Sequence, residues 1–354
     1  MRILGLLLSI LWLALPAQAQ QAGDDGQPPN LVATLALSEN GSVLTGAAAD
    51  AYWRLVPLED VGDGPLPEDG TGSVYSVYAP AGLYRIDVRL GAVSAEQDVL
   101  LKEGSETAMR IVLEAGIVEI IPKRVESDPE ADETISVELR GAGGARDRGV
   151  GTASFVMPAG VIDVTAKLGK AKGEDRFELY PGDRIQREVA LNVATVIGRV
   201  LLSTGGAPVE TGDAKVAIQT EDGAARRGAV NKTYGVRPML VSAGRYVMKA
   251  QLGQAQAQSQ AFELEPGEDR MVDIVLEAGR LEVSAPGAYR ISVKAGPEDV
   301  EAGRELARGR GPEFAEVLPV GSYLLSLTYA NGGEAEQSFS IAAGKDTRLV
   351  IPAP

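Results

Sequence analysis

The sequence predicts an all-β protein: four tandem small antiparallel β-sandwiches behind a signal peptide. Three observations lead there. The stretch 240–279 reads as three strands, and the same cassette returns at 78–116, at 156–194 and, shortened, at 318–354. Within it apolar and polar residues alternate, the period-two pattern of a half-buried strand. Short Val, Leu and Ile runs are punctuated by 42 glycines and 20 prolines, as when many strands are joined by tight turns.

Residues 1–19 have the form of a secretory leader. Arg2 supplies the charged start, residues 3–15 the apolar stretch, and Ala17-Gln18-Ala19 the small-residue cleavage site, so the mature chain is expected to begin at Gln20. The apolar stretch is shorter than the roughly 20 residues that span a bilayer, and no other segment is apolar enough to do so. Residues 20–29 (QQAGDDGQPP) read as an unordered polar linker. Sandwiches are then expected at 30–115, 116–194, 195–278 and 279–354.

Subtraction sets the repeats in register. The turn glycines Gly82, Gly160, Gly244 and Gly321 are 78, 84 and 77 residues apart. Second glycines, Gly104, Gly182, Gly267 and Gly344, follow after 22, 22, 23 and 23 residues. A large apolar residue precedes each of these by five positions: Val99, Phe177, Phe262 and Phe339. Gly91, Gly169 and Gly253 lie nine residues after the turn glycine, with Ala330 in the fourth unit. Agreement of period, order and spacing marks an internal repeat.

Each element has a local reason. Pro80-Ala81-Gly82 and Pro158-Ala159-Gly160 suit a turn whose last residue takes positive φ. Gly244→Val is therefore expected to destabilise more than Gly253→Ala. Tyr84, Tyr246 and Tyr323 then head an inward strand face, each with a hydroxyl able to reach a backbone partner, while Ile162 takes that place in the second unit. In the third unit Tyr246, Met248, Ala250 and Leu252 share the inward face. Opening strands are read at 31–37, 117–121, 196–202 and 281–284, and second strands at 51–56, 135–139, 215–219 and 289–293. Six or seven short strands per unit suit a small sandwich. A single glycine, Gly116 or Gly279, separates the last strand of one unit from the first of the next, so a stiff array is expected.

Composition removes much chemistry. The chain has no cysteine and no histidine, so disulfides, thiolate nucleophiles, zinc-thiolate sites and Ser-His-Asp triads are excluded. A formal net charge of −15 repels nucleic acid. The acid-rich stretches 59–69 and 126–133 lack the spacing of a calcium loop and read as solvated loops. Gly344-Lys345 is followed by Asp346, which fails the phosphate-loop pattern, and Arg146 occupies the last glycine position of a dinucleotide motif at 141–151. No catalytic, cofactor or metal residue is identified. One feature recurs: arginine pairs Arg146/Arg148, Arg226/Arg227 and Arg308/Arg310, read in the hairpin loop before the turn strand. Arginine forks bind carboxylate and phosphate in two-point fashion.

The line P-A-G-x-Y-x-V, then L-G, an apolar residue, G and a closing V-x-L strand resembles small prealbumin-like modules. These include the carboxypeptidase regulatory-like domains and the collagen-adhesin B-type repeats of bacterial envelope proteins. Here the line is carried by Pro80-Ala81-Gly82-Leu83-Tyr84-Arg85-Ile86, Ser242-Ala243-Gly244-Arg245-Tyr246-Val247 and Pro319-Val320-Gly321-Ser322-Tyr323-Leu324-Leu325. The resemblance implies a non-enzymatic exported protein, periplasmic or secreted, serving as a rigid spacer or interaction scaffold for an envelope protein. Its alternative is an adhesin-like module that binds a glycan or polyanion through the arginines. Some such modules cross-link a lysine to an asparagine. Lys123 and Asn192 are the positions that could correspond, but Asn192 is out of phase with inward Val189 and Leu191, so both read as exposed polar residues.

Overall fold

The computed structural model describes residues 28–46, 50–61, 66–210, 212–221, 230–297 and 301–352. The expected leader lies outside them, as do residues 20–27 of the linker. In order, the first unit contains β1 (Leu31–Ala36), β2 (Ala51–Pro57), β3 (Gly70–Gly72), β4 (Val74–Val77), β5 (Gly82–Leu90), β6 (Val93–Leu101) and β7 (Thr107–Val112). The second has β8 (Ala115–Lys123), β9 (Ser136–Arg140), β10 (Arg146–Val150), β11 (Ala153–Pro158), β12 (Gly160–Leu168), β13 (Ala171–Leu179) and β14 (Arg184–Ala190). The third has β15 (Val193–Leu201), β16 (Lys215–Thr220), β17 (Asn231–Tyr234), β18 (Pro238–Ser242), β19 (Gly244–Leu252), β20 (Ala255–Gln258), β21 (Phe262–Leu264) and β22 (Asp269–Val275). The fourth has β23 (Ala278–Ser284), β24 (Ala288–Ala295), β25 (Glu305–Arg310), β26 (Glu313–Pro319), β27 (Gly321–Tyr329), β28 (Glu334–Ile341) and β29 (Asp346–Val350).

These strands form eight sheets, two to a sandwich. The small sheets run β4-β1-β7, β11-β8-β14, β18-β15-β22 and β26-β23-β29. The larger run β3-β2-β5-β6, β10-β9-β12-β13, β17-β16-β19-β20 (with β21 also on β19) and β25-β24-β27-β28. The all-β tandem sandwich read from the sequence is therefore what forms. One pairing differs from a purely antiparallel design. The first and last strands of every unit, β1/β7, β8/β14, β15/β22 and β23/β29, lie side by side in parallel.

Alternation places one core between each pair of sheets. In β19, Tyr246, Met248, Ala250 and Leu252 are all buried as expected, and Val247 on the other face is buried too. The repeated tyrosines bury their rings and donate the hydroxyl four residues back: Tyr84 to the Pro80 carbonyl at 2.9 Å, Tyr246 to Ser242 at 2.7 Å and Tyr323 to Pro319 at 2.7 Å. Each bond ties the strand head to the residue that enters its turn.

The joints between sandwiches follow one plan, and it differs from the single-glycine link. Gly116 and Gly279 sit inside β8 and β23. Small size matters there because a Cβ at Gly279 would lie 2.6 Å from the Ala342 carbonyl oxygen. The chain instead bends at Glu114, Asn192 and Glu277, which have φ of 47°, 50° and 46°. Their carbonyls accept the amides of Ala159 (3.0 Å), Ala243 (2.7 Å) and Val320 (2.9 Å), each just before a turn glycine of the next unit. The following residue belongs to both neighbours. Ala115 donates its amide to Leu37 and accepts from Gly182; Val193 does so with Arg124 and Gly267, and Ala278 with Leu202 and Gly344, all at 2.8–2.9 Å.

A second contact closes each joint. The β5–β6, β12–β13 and β19–β20 hairpins reach the next sandwich, where Ala92 donates to the Val156 carbonyl (3.2 Å), Lys170 to Leu240 (3.3 Å) and Gln254 to Val317 (2.9 Å). Gly91, Gly169 and Gly253 immediately precede those donors and have φ of 57°, 61° and 57°. A Cβ on Gly253 would lie 2.6 Å from the Val317 carbonyl oxygen. Gly244 has φ of 149°, but its Cβ would meet nothing nearer than 3.6 Å, and Gly321 has no positive φ. An added Cβ at Gly253 thus meets strain and a backbone clash, whereas one at Gly244 meets strain alone.

Candidate functional site

The expected anion-binding arginines stand on strands rather than in hairpin loops. Arg146 and Arg148 lie on β10, and Arg308 and Arg310 on β25, each strand the edge of its larger sheet. Arg226 and Arg227 fall outside the described residues. Alternation turns the described four outward, with Arg146 opposite Arg140, Arg148 opposite Glu138, Arg308 opposite Ser292 and Arg310 opposite Arg290. Arg148 comes within 3.5 Å of Glu138 and Arg308 within 3.9 Å of Glu305. The hydrogen bond from Arg140, with help from Arg148, holds the Glu138 carboxyl below the usual carboxylate range. Charge along a sheet edge blocks pairing with another sheet, which is reason enough for these side chains. Residues 146–150 carry almost no apolar alternation, so the sequence there reads as a loop.

The acidic stretch 126–133 is mostly exposed, as read from the sequence, but three of its acids are tied down locally. Asp128 accepts the Val125 amide at 3.0 Å, and Glu133 takes both the amide and the hydroxyl of Thr152 at 2.9 Å. Asp132 accepts from the Thr134 amide (2.8 Å) and hydroxyl (2.5 Å) and pairs with Arg124. Burial alone would raise its pKa, but those bonds and the guanidinium prevail and hold it at about 2. Lys123, read as exposed, is buried, and its Nζ lies 2.8 Å from Glu188. Asn192 is exposed at a bend. Among the described residues no group of three Asp or Glu is placed to hold a metal ion, and no helix is long and apolar enough to cross a membrane.

One outer face stands apart. On the larger sheet of the third sandwich, Lys215, Ala217, Gln219, Lys232, Lys249, Gln251, Gln256 and Gln258 line an open groove of about 560 Å³. It has three ammonium groups, four amides and no carboxylate. None of the three lysines has an ion-pair partner among the described residues. The only sequence signal was a run of Lys and Gln at alternate positions, which acquires meaning once the strand register is known.

No family model and no curated protein matches the chain. Solved structures do. The Bacillus anthracis TIE protein is 14% identical over 90% of this chain and 72% of its own, with a TM-score of 0.22. A streptococcal ancillary pilin is 13% identical over 68% and 98%, TM-score 0.24, and the major pilin subunit of Bacillus cereus 11% over 91% and 97%, TM-score 0.17. At these scores the likeness carries nothing about function.

Proposed function

We propose that this chain is an exported, non-enzymatic protein of the cell envelope whose four sandwiches act as a stiff spacer or scaffold, holding what is attached at one end away from the other. The reading rests on one observation: the same set of bonds recurs at all three joints. Each joint has a left-handed bend whose carbonyl is bonded forward, a residue shared by two sandwiches and a hairpin tip bonded to the next unit. A flexible string of domains would leave such backbone groups to water. The cores also meet there, with Ile117 and Val156 packing on the first core and Val317 on the third. Export rests on the leader at 1–19, and the unit limits proposed are 30–115, 116–194, 195–278 and 279–354.

Small-angle scattering on the mature protein tests this. A stiff spacer gives an elongated particle whose pair-distance curve is unchanged between low and high salt. Insertion of Gly-Gly-Ser-Gly after Asn192 should broaden the curve. Wild-type scattering that already matches freely jointed domains would overturn the proposal.

A further inference from the structure

The groove on the third sandwich is the feature that the spacer reading does not use. Two rows of outward side chains build it. Lys232 on β17 faces Ala217 on β16, then Lys249 on β19 and Gln258 on β20; beside that row run Tyr234, Lys215, Gln251 and Gln256. Ala217 makes the hollow, because its methyl group stands between two lysines and leaves the floor open. Lys232 and Lys249 are two strands apart, so their roots are separated by about 10 Å.

The other sandwiches show what this position ordinarily carries. Five residues after the turn glycine, the equivalent rows are Arg54–Asp87–Glu96 in the first unit, Arg148–Glu138–Thr165–Glu174 in the second and Arg308–Ser292–Ser326–Glu336 in the fourth. Each contains at least one carboxylate as well as a cation. Only the third row has cations without acids, in a chain whose net charge is −15. Lys215, on the strand between, is the diagonal neighbour of both Lys232 and Lys249, and like charges so placed are unfavourable without a counter-ion, so this face is left short of negative charge.

A second observation concerns Gln219, on the same strand two residues from Ala217. Its Oε1 is buried and has no hydrogen-bond partner among the described residues, and the residue lines the groove. A buried acceptor without a donor costs free energy until one arrives. The half-buried Gln219 amide can turn outward, where an occupant bringing a hydrogen-bond donor as well as negative charge would satisfy it. Amides that both give and accept, set among ammonium groups, suit a ligand rich in hydroxyls and bearing carboxylates. An extended acidic peptide would seek the backbone groups of a sheet edge, whereas this groove lies on a face and offers side chains alone.

We infer that the groove of Lys215, Lys232, Lys249 and Gln219 binds an acidic polysaccharide, with sugar carboxylates on the three ammonium groups and a sugar hydroxyl donating to Gln219 Oε1 once that side chain turns towards the groove. Its volume of about 560 Å³ falls in the ordinary range for ligand sites, about 300–1,000 Å³, and accepts a short run of sugar rings. The site stands independently of the spacer reading, since neither experiment uses the other's readout.

Calorimetric titration of the mature protein with polygalacturonate, at physiological ionic strength, is the test. Neutral dextran and polyglutamate serve as comparisons. Polygalacturonate should bind, dextran should not, and polyglutamate should be weaker by about tenfold or more for want of hydroxyl donors. The triple variant K215Q/K232Q/K249Q should lose about tenfold or more in affinity, whereas R146Q/R148Q should leave it unchanged. Gln219→Met removes the buried acceptor while filling the same space, and should weaken polygalacturonate without altering polyglutamate. Equal affinity for polyglutamate would make the occupant an acidic peptide and overturn the assignment. So would absence of polygalacturonate binding, or binding unaffected by the triple change.

Discussion

Replacing Gly253 with alanine should unfasten the third joint, and its cost separates into two parts. The first is conformational: Gly253 has φ of 57°, where an L-residue is disfavoured by about 1–2 kcal/mol. The second is steric. The new Cβ would lie 2.6 Å from the Val317 carbonyl oxygen and 3.1 Å from the Val317 Cβ, and a backbone oxygen in a strand cannot swing aside. Relief requires the hairpin to lift from β26, which breaks the 2.9 Å bond from the Gln254 amide to Val317 and forfeits about 0.5–1.5 kcal/mol. Gly104→Ala isolates the first part, since Gly104 has φ of 68° and no atom within 4 Å of its would-be Cβ. Gly253→Ala should therefore destabilise by about 1.5–3.5 kcal/mol against about 1–2 kcal/mol for Gly104→Ala. Only Gly253→Ala should also broaden the scattering distribution. Calorimetry with resolved unit transitions measures the first difference and small-angle scattering the second. Equal destabilisation with unchanged scattering would refute the account of the joint.

Other outcomes follow from the same structure. Asp132 is held at about 2 in the folded protein against about 3.9 in an unfolded chain. Its contribution is thus complete above about pH 4 and lost as the pH falls towards about 2; Asp132→Asn should flatten acid unfolding of the second sandwich in that window. Tyr246→Phe should lower the stability of the third sandwich by about 1 kcal/mol through loss of the bond to Ser242, read by denaturant midpoint, and an unchanged midpoint would count against the tyrosine's role. Exported protein should begin at Gln20 by N-terminal sequencing, and material retaining Met1 would dismiss the leader. A screen of glycosidase, esterase and phosphatase substrates should show no turnover above buffer.

The repeat was legible because it is written in residue types that local geometry demands. Turn glycines, strand-head tyrosines and alternating aliphatics recur at fixed spacing, and they carry sheet count and core composition with them. What could not be read was long-range. Nothing local says that Leu31 pairs with Thr107 in parallel rather than antiparallel fashion, since both registers suit the same alternation. The bends at Glu114, Asn192 and Glu277 use residue types without a strong preference for positive φ, apart from Asn192. Gly91, Gly169 and Gly253 were visible as a repeat, but their reason lies in a different sandwich. The outward rows emerged only when strand register put Lys232, Ala217 and Lys249 in line.

The parallel pairing of first and last strands also sets how the molecule answers a pull. β1 and β7 run side by side in one direction, as do the corresponding pairs further on, so the chain enters a sandwich at one end and leaves at the other. Tension on the two ends then acts along the ladder, and its hydrogen bonds must give way together in shear instead of parting one after another like a zip. The small sheet becomes the mechanical clamp of each sandwich. Stretching in a force probe should accordingly show four separate, high-force ruptures rather than a smooth extension.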